Sequence, residues 1–209
     1  MTINHTKKLI FIHIPKTAGN SIIKAMGVEN ILDPKLFWDE TIKKYKEHYG
    51  DYWNEYKKFT VVREPIDRFI SAYKFARMDE SEWFSVTGKN NLDKHPHYEF
   101  CNEMNINEYI SYLYKNPEKF NIWIVPQTFI ISNENGEREI DYYVRYENLL
   151  EDLQKIGIGK IEKLNSSKIK DEKTIELTKK SKNQLYQIYD IDYQNFSYTK
   201  DTKQLFSYQ

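Results

Sequence analysis

The 209-residue chain has one cysteine, no excess of either charge and no long apolar run. The single cysteine, Cys101, excludes an intramolecular disulfide and a zinc site built from several cysteines. Lys plus Arg number 31, as do Asp plus Glu, and zero net charge argues against general binding to nucleic acid or membrane surfaces. The apolar runs are too short for a membrane span or a signal peptide, so we expect a cytoplasmic protein without membrane insertion.

What is present indicates a folded chain. Hydrophobic residues make up 40% and aromatic residues 15% of the sequence, which argues against disorder. The length fits one domain with a substantial core. We therefore predict a single α/β domain over residues 1–209.

The first informative stretch follows the apolar run Leu9-Ile10-Phe11-Ile12, which predicts a buried strand. Pro15 ends that strand, and apolar spacing through Ile22 and Met26 predicts a helix. A tight loop that enters a helix N-terminus suits an anion, because the first backbone N–H groups there lack partners. The candidate contacts are Pro15, Lys16, Thr17, Ala18, Gly19, Asn20 and Ser21. A plain β–α turn with a surface lysine explains this stretch alone equally well.

The stretch is not the nucleotide-triphosphate loop, G-x-x-x-x-G-K-[S/T]. Lys16 precedes Gly19, the only glycine in the loop, instead of following a second one. This argues against a nucleotide or sugar kinase, which we keep as an alternative function beside a non-catalytic phosphonucleotide-binding module.

A second motif follows the next predicted strand, Phe59-Thr60-Val61-Val62. It reads Arg63-Glu64-Pro65-x-x-Arg68-x-x-Ser71-x-Tyr73. From Ile66 onward, apolar residues recur at helical spacing, and Arg68, Ser71 and Lys74 are predicted to share the opposite face. A guanidinium suits a phosphate because its planar fork of N–H donors matches the phosphate oxygens.

In this order, the two motifs resemble the 5′-phosphosulfate loop and the 3′-phosphate motif of the carbohydrate-type (family 2) sulfotransferases, in particular bacterial members. These enzymes use 3′-phosphoadenosine-5′-phosphosulfate (PAPS) and release 3′,5′-adenosine bisphosphate (PAP). The resemblance implies a P-loop-NTPase-like α/β fold, with a central, mainly parallel sheet between helices. It also implies sulfuryl transfer to a hydroxyl of a carbohydrate or glycoconjugate, without a metal. Weaker counterparts include Pro126-Gln127, Val144 to Leu149 and Tyr189 to Asp192.

The resemblance also implies roles for individual residues. Residues 15–21 would surround the 5′-phosphosulfate, and Arg63 and Ser71 would hold the 3′-phosphate. Lys16 would in addition stabilise charge on the bridging oxygen as the sulfuryl group departs.

The proton acceptor departs from the family pattern. Many bacterial relatives carry a histidine about a dozen residues before the glycine matching Gly50, where this chain has Asp39-Glu40. The candidates for the base are therefore Asp39, Glu40 and His48. His95 and His97 are further alternatives, although a structural imidazole is at least as common, and Asp39 also suits a helix N-cap.

Residues 78–104 have the least regular pattern, and we expect a long loop insertion that lines the acceptor side. A solvated insertion is the alternative. Further helices are predicted from Asn105 or Asn107 to Lys115, over 147–156 and over 172–189, with a strand over 140–144 and an aromatic, polar tail.

Overall fold

The computed structural model of the chain describes residues 2–27, 41–78, 95–159 and 175–200. Four strands form one sheet in the order β1-β2-β3-β4. They are β1 (Ile3–Asn4), β2 (Leu9–Ile12), β3 (Lys57–Val62) and β4 (Tyr142–Arg145). The short edge strand β1 is antiparallel to β2, whereas β2, β3 and β4 are mutually parallel. This confirms the predicted α/β fold with a mainly parallel sheet.

Ten α-helices surround this sheet in the described parts of the chain. They are α1 (Gly19–Ala25), α2 (Ile42–Tyr49), α3 (Tyr52–Glu55), α4 (Pro65–Ala76), α5 (Tyr98–Glu103), α6 (Ile106–Lys115), α7 (Gln127–Ile130), α8 (Leu149–Lys155), α9 (Lys179–Ile188) and α10 (Asp190–Asn195). Short 3-10 turns follow α6 and β4, over Pro117–Lys119 and Tyr146–Asn148.

Both faces of the sheet are covered, which is why β2 is apolar at all four positions and β3 is buried from Phe59 to Val62. Phe11 stacks on Phe59 at a centroid distance of 5.0 Å, on the face that packs against α1 and α8. Ile10 and Ile12 point to the other face, where they pack with α2, α3 and α7. A further helical layer joins α4, α5, α6, α9 and α10 around residues such as Tyr109.

The parallel strands bring three chain segments to one edge of the sheet. Ile12, Val62 and Arg145 end β2, β3 and β4, and the register pairs Ile12 with Thr60 and Val62 with Arg145. The segments beginning at His13, Arg63 and Tyr146 therefore leave the sheet side by side. In open α/β sheets, this is the edge at which ligands bind.

The structure corrects several predicted elements. Tyr98–Glu103 is a helix inside the segment expected to be a loop over 78–104, and its Cys101 is fully buried. The last long helix begins at Lys179 instead of residue 172, because Thr178 caps it by accepting from the Ser181 N–H. The tail contributes the additional helix α10, and β1 lies before the first predicted strand. Residues 79–94 and 160–174 lie outside the described residues.

Candidate functional site

The loop after β2 has an unusual backbone. Lys16 and Ala18 both have φ of 70°, a left-handed conformation that is costly for residues with a side chain. Thr17 lies between them, fully buried, and its hydroxyl donates to the Ile14 carbonyl at 2.7 Å. The Thr17 hydroxyl thus fixes the loop internally, and the strained backbone places Lys16 half-buried at the edge of the sheet.

Gly19 is required by a close approach, not by its own backbone torsion. A Cβ built on Gly19 would lie 2.1 Å from His13 Nε2, much closer than any allowed contact. His13 is buried, and its backbone N–H donates to the Tyr45 hydroxyl at 3.2 Å. His13 therefore packs inside the turn and shapes it.

The Lys16 ammonium lies over an aromatic ring of the helix that carries the second motif. Its Nζ is 4.0 Å from the ring centroid of Phe75. A cation at this distance from a ring face is attracted by the quadrupole of the ring. Phe75, which the sequence did not single out, thus positions Lys16 on the side of α4.

Arg63 connects the two motifs directly. One of its N–H groups, at NH1, donates to the Lys16 carbonyl at 3.0 Å. Its Nε and NH2 bind Asp67 Oδ2 at 2.8 and 2.7 Å. Its guanidinium also stacks on Tyr146, 4.2 Å from the ring centroid, so it contacts all three strand-end segments.

Gln127 holds the backbone of Arg63 from the opposite side. Its Oε1 accepts from the Arg63 N–H at 2.9 Å, and its Nε2 donates to the Arg63 carbonyl at 2.8 Å. Gln127 is fixed in turn by the buried carboxylate of Asp192, which accepts from the Gln127 and Thr128 N–H groups, each at 2.8 Å. The Pro126-Gln127 pair in the sequence gave a signal for this clamp, but nothing in the sequence assigned its role.

Arg68 is buried, which corrects its predicted place on a polar face with Ser71 and Lys74. It is 1% exposed and donates to three carbonyl oxygens. Its Nε binds the Pro15 oxygen at 3.0 Å, while NH1 and NH2 bind the oxygens of Val125 and Ile122 at 2.9 and 3.2 Å. Burial lowers the pKa of this guanidinium. Arg68 therefore anchors the start of the loop.

The remaining predicted contact residues lie around this framework. Ser21 is buried in α1 and Asn20 is half-buried beside it. Ser71 is half-buried on α4, one helical turn beyond Asp67 and hence on the side of Arg63. These placements are compatible with the predicted anion contacts, which stay a prediction.

The structure describes only one of the three candidate bases. Asp39 and Glu40 lie outside the described residues. His48 is exposed near the end of α2, with its ring edge-on to Tyr49 at 5.0 Å. Tyr45, one turn earlier, contacts the loop through His13, whereas Tyr49 contacts Thr2. His48 thus lies on the part of α2 that leads away from the loop.

His95 and His97 are both buried, at 5% and 8% exposure. Burial, followed by the charges of His97 and Lys16, lowers the pKa of His95 to about 4. Burial also lowers the pKa of His97. Both imidazoles are therefore neutral at pH 7, and His95 lies close enough to Lys16 to be affected by its charge.

One comparison with known proteins finds a match. A model described as the sulfotransferase family, of the family 2 type, matches residues 1–199. The chain belongs to this family. No curated protein and no solved structure matches the chain.

Membership of the sulfotransferase family supports sulfuryl transfer to a small acceptor, which makes the chain a transferase. It also places the fold among those of sulfotransferases. In the described ranges, no helix is long and apolar enough to cross a membrane. Across the same ranges, no three His, Cys, Asp or Glu side chains gather as a metal site.

Proposed function

We propose that this sulfotransferase moves the sulfuryl group of PAPS to a hydroxyl of a carbohydrate or glycoconjugate. One observation carries the proposal: the Arg63 guanidinium donates to the Lys16 carbonyl, so the two motifs are in direct contact. A ligand with two separate anionic groups fits such a pair of strand ends. PAPS carries these groups at its 5′ and 3′ positions.

The residues present fit this donor. Gly19 lets the loop turn tightly around His13, and Lys16 supplies a cation beside the loop. Arg63 would hold the 3′-phosphate together with Ser71. Asp67 now occupies two N–H groups of Arg63, so phosphate binding would exchange this half-exposed ion pair for a more highly charged partner.

Lys16 would act on the reaction through its charge. Bound PAPS supplies an activated sulfuryl group, and negative charge develops on the oxygen that bridges it to the phosphate. An ammonium held at this oxygen stabilises the charge as it forms. The Phe75 ring keeps Lys16 near the loop in a position from which a rotation of its flexible side chain reaches the anion.

We assign the proton acceptor to Asp39 or Glu40, with His48 as the alternative. The carboxylates stand at the sequence position where bacterial relatives carry their histidine. We expect no metal in the transfer, because a sulfuryl group carries less charge than a phosphoryl group and Lys16 is present to stabilise what develops.

Calorimetry with PAP tests donor binding. Lys16→Ala and Arg63→Ala should each weaken PAP binding roughly 10- to 100-fold, because each removes a charged donor worth about 1.5–3 kcal/mol. Lys24→Ala and Arg77→Ala are the matched controls, since both residues are exposed at the far ends of α1 and α4. Unchanged affinity in both site variants would refute the assignment.

Transfer of labelled sulfate from PAPS to a panel of glycans tests the acceptor. Product on a glycan supports the proposal, and its loss in Asp39→Asn or Glu40→Gln identifies the base. Donor binding without transfer to any acceptor would instead support a non-catalytic binding module. ATP binding that required magnesium would support a kinase.

A further inference from the structure

His95 offers a hydrogen-bond donor that nothing in the described part of the chain accepts. Its Nδ1 accepts the backbone N–H of His97 at 3.1 Å. Nδ1 therefore carries a lone pair, and in the neutral imidazole the proton is on Nε2. His95 Nε2 is buried and has no hydrogen-bond partner among the described residues.

An orphaned N–H group in a protein interior is costly, at about 1–3 kcal/mol. Such groups are rare in folded proteins and call for an explanation, which includes a ligand that binds there. The surroundings of His95 are aromatic, with the ring centroids of Trp123 and Phe75 at 5.5 and 6.1 Å. Both rings meet the imidazole nearly at right angles, and neither provides a conventional acceptor.

The position of His95 indicates which ligand would accept this bond. The Phe75 ring that packs edge-on against His95 also supports the Lys16 ammonium. The Lys16 charge acts on the His95 imidazole. Two donors, one charged and one neutral, thus lie against the same ring. A group rich in negatively charged oxygens would accept from His95 Nε2 and be attracted by the Lys16 charge.

We propose that His95 Nε2–H donates a hydrogen bond to a non-bridging oxygen of the sulfuryl group bound beside Lys16. This inference rests on the proposed function, because it requires a phosphosulfate donor at the loop. It also excludes His95 as the general base, because a nitrogen that already carries a proton cannot accept one from the acceptor hydroxyl. His95 is a binding residue for the transferred group.

Two amide substitutions test the two nitrogens of the His95 imidazole separately. In His95→Asn, the side-chain oxygen can still accept the His97 N–H, but no donor reaches the place of Nε2. In His95→Gln, the longer side chain brings an N–H donor to that place. His5→Gln is the control, because His5 is exposed in the turn before β2, at the opposite end of that strand.

The affinities for PAPS and PAP are measured by calorimetry without an acceptor. PAP lacks the sulfuryl group, so the ratio of the two affinities isolates contacts to that group. We expect His95→Asn to weaken PAPS binding by about tenfold or more and PAP binding by less than about twofold. His95→Gln should remain closer to wild type than His95→Asn.

An unchanged ratio of PAPS affinity to PAP affinity in His95→Asn would overturn the proposal. This holds also where both affinities fall equally, which indicates a structural role. If His95→Asn does not fold, His95→Gln decides: a PAPS-to-PAP affinity ratio within about twofold of that of wild type supports the proposal, and a ratio about tenfold lower contradicts it. Failure of wild type to bind either nucleotide would instead refute the proposed function.

Discussion

Replacing Arg68 with methionine would remove the guanidinium that anchors the first residues of the anion loop. Its three acceptors, the carbonyl oxygens of Pro15, Val125 and Ile122, are 2.9–3.2 Å away. Each hydrogen bond from a charged donor contributes about 1.5–3 kcal/mol. Methionine fills much of the volume and removes the cost of burying a charge, which offsets part of the loss.

The balance gives an expected decrease in the free energy of unfolding of about 3–5 kcal/mol for Arg68→Met. This is a large part of a total of about 5–15 kcal/mol. Arg68→Lys should lose less, because an ammonium keeps the charge but cannot reach three carbonyls in the plane of a guanidinium. Arg77→Met is the control at the exposed end of the same helix, with an expected change below about 1 kcal/mol.

Urea unfolding followed by tryptophan fluorescence measures these differences, provided that the slope with urea concentration is unchanged. A decrease below about 1 kcal/mol in Arg68→Met would refute the reasoning, because it would mean that the three carbonyls find other partners at no cost. PAP binding, measured where the variant is folded, should also weaken, since Pro15 loses its anchor.

Two further predictions concern pH and the loop backbone. Folding lowers the pKa of His95 from 6.5 to about 4, so the stability that depends on neutral His95 is complete above pH 6.5. It decreases as the pH falls toward 4, by about 3 kcal/mol in total. Urea unfolding at several pH values in this window gives the free energy of unfolding as a function of pH. As the pH falls, this free energy should decrease less steeply in His95→Gln than in wild type, and an equal pH dependence would contradict the prediction. In thermal unfolding, Gly19→Ala should lower the free energy of unfolding by about 1–3 kcal/mol, because the added methyl group clashes with His13. Ala18→Gly should raise the free energy of unfolding by about 0.5–1 kcal/mol, because Ala18 has φ of 70°. A more stable Gly19→Ala or a less stable Ala18→Gly would refute that reasoning.

The parts of the fold that the sequence predicted correctly depend on local patterns. β2 is a continuous apolar run, β3 ends in the mostly apolar run Phe59 to Val62, and α4 begins at a proline and has apolar residues at helical spacing. The N-cap of α6 was also visible, since Asn105 and Glu108 form a capping box. Each of these signals lies within a few residues of the structure that it specifies.

The parts that were missed depend on contacts between distant segments. The two-residue strand β1 owes its existence to its pairing with β2. Helical spacing assigned Arg68 to a polar face, because no local pattern shows that three carbonyl oxygens from other segments converge on it. The Gln127–Asp192 clamp likewise joins residues 65 positions apart.

The two motifs act together because arginines of the second motif fix the backbone of the first. Arg68 binds the Pro15 carbonyl and Arg63 binds the Lys16 carbonyl. In a trans peptide, the C=O and the following N–H point in opposite directions, and no cis bond occurs among the described residues. Fixing these two oxygens against guanidinium groups therefore turns the N–H groups of Lys16 and Thr17 away from those guanidinium groups. The loop presents donors, rather than carbonyl oxygens, on its other side, which is the polarity that an anion requires.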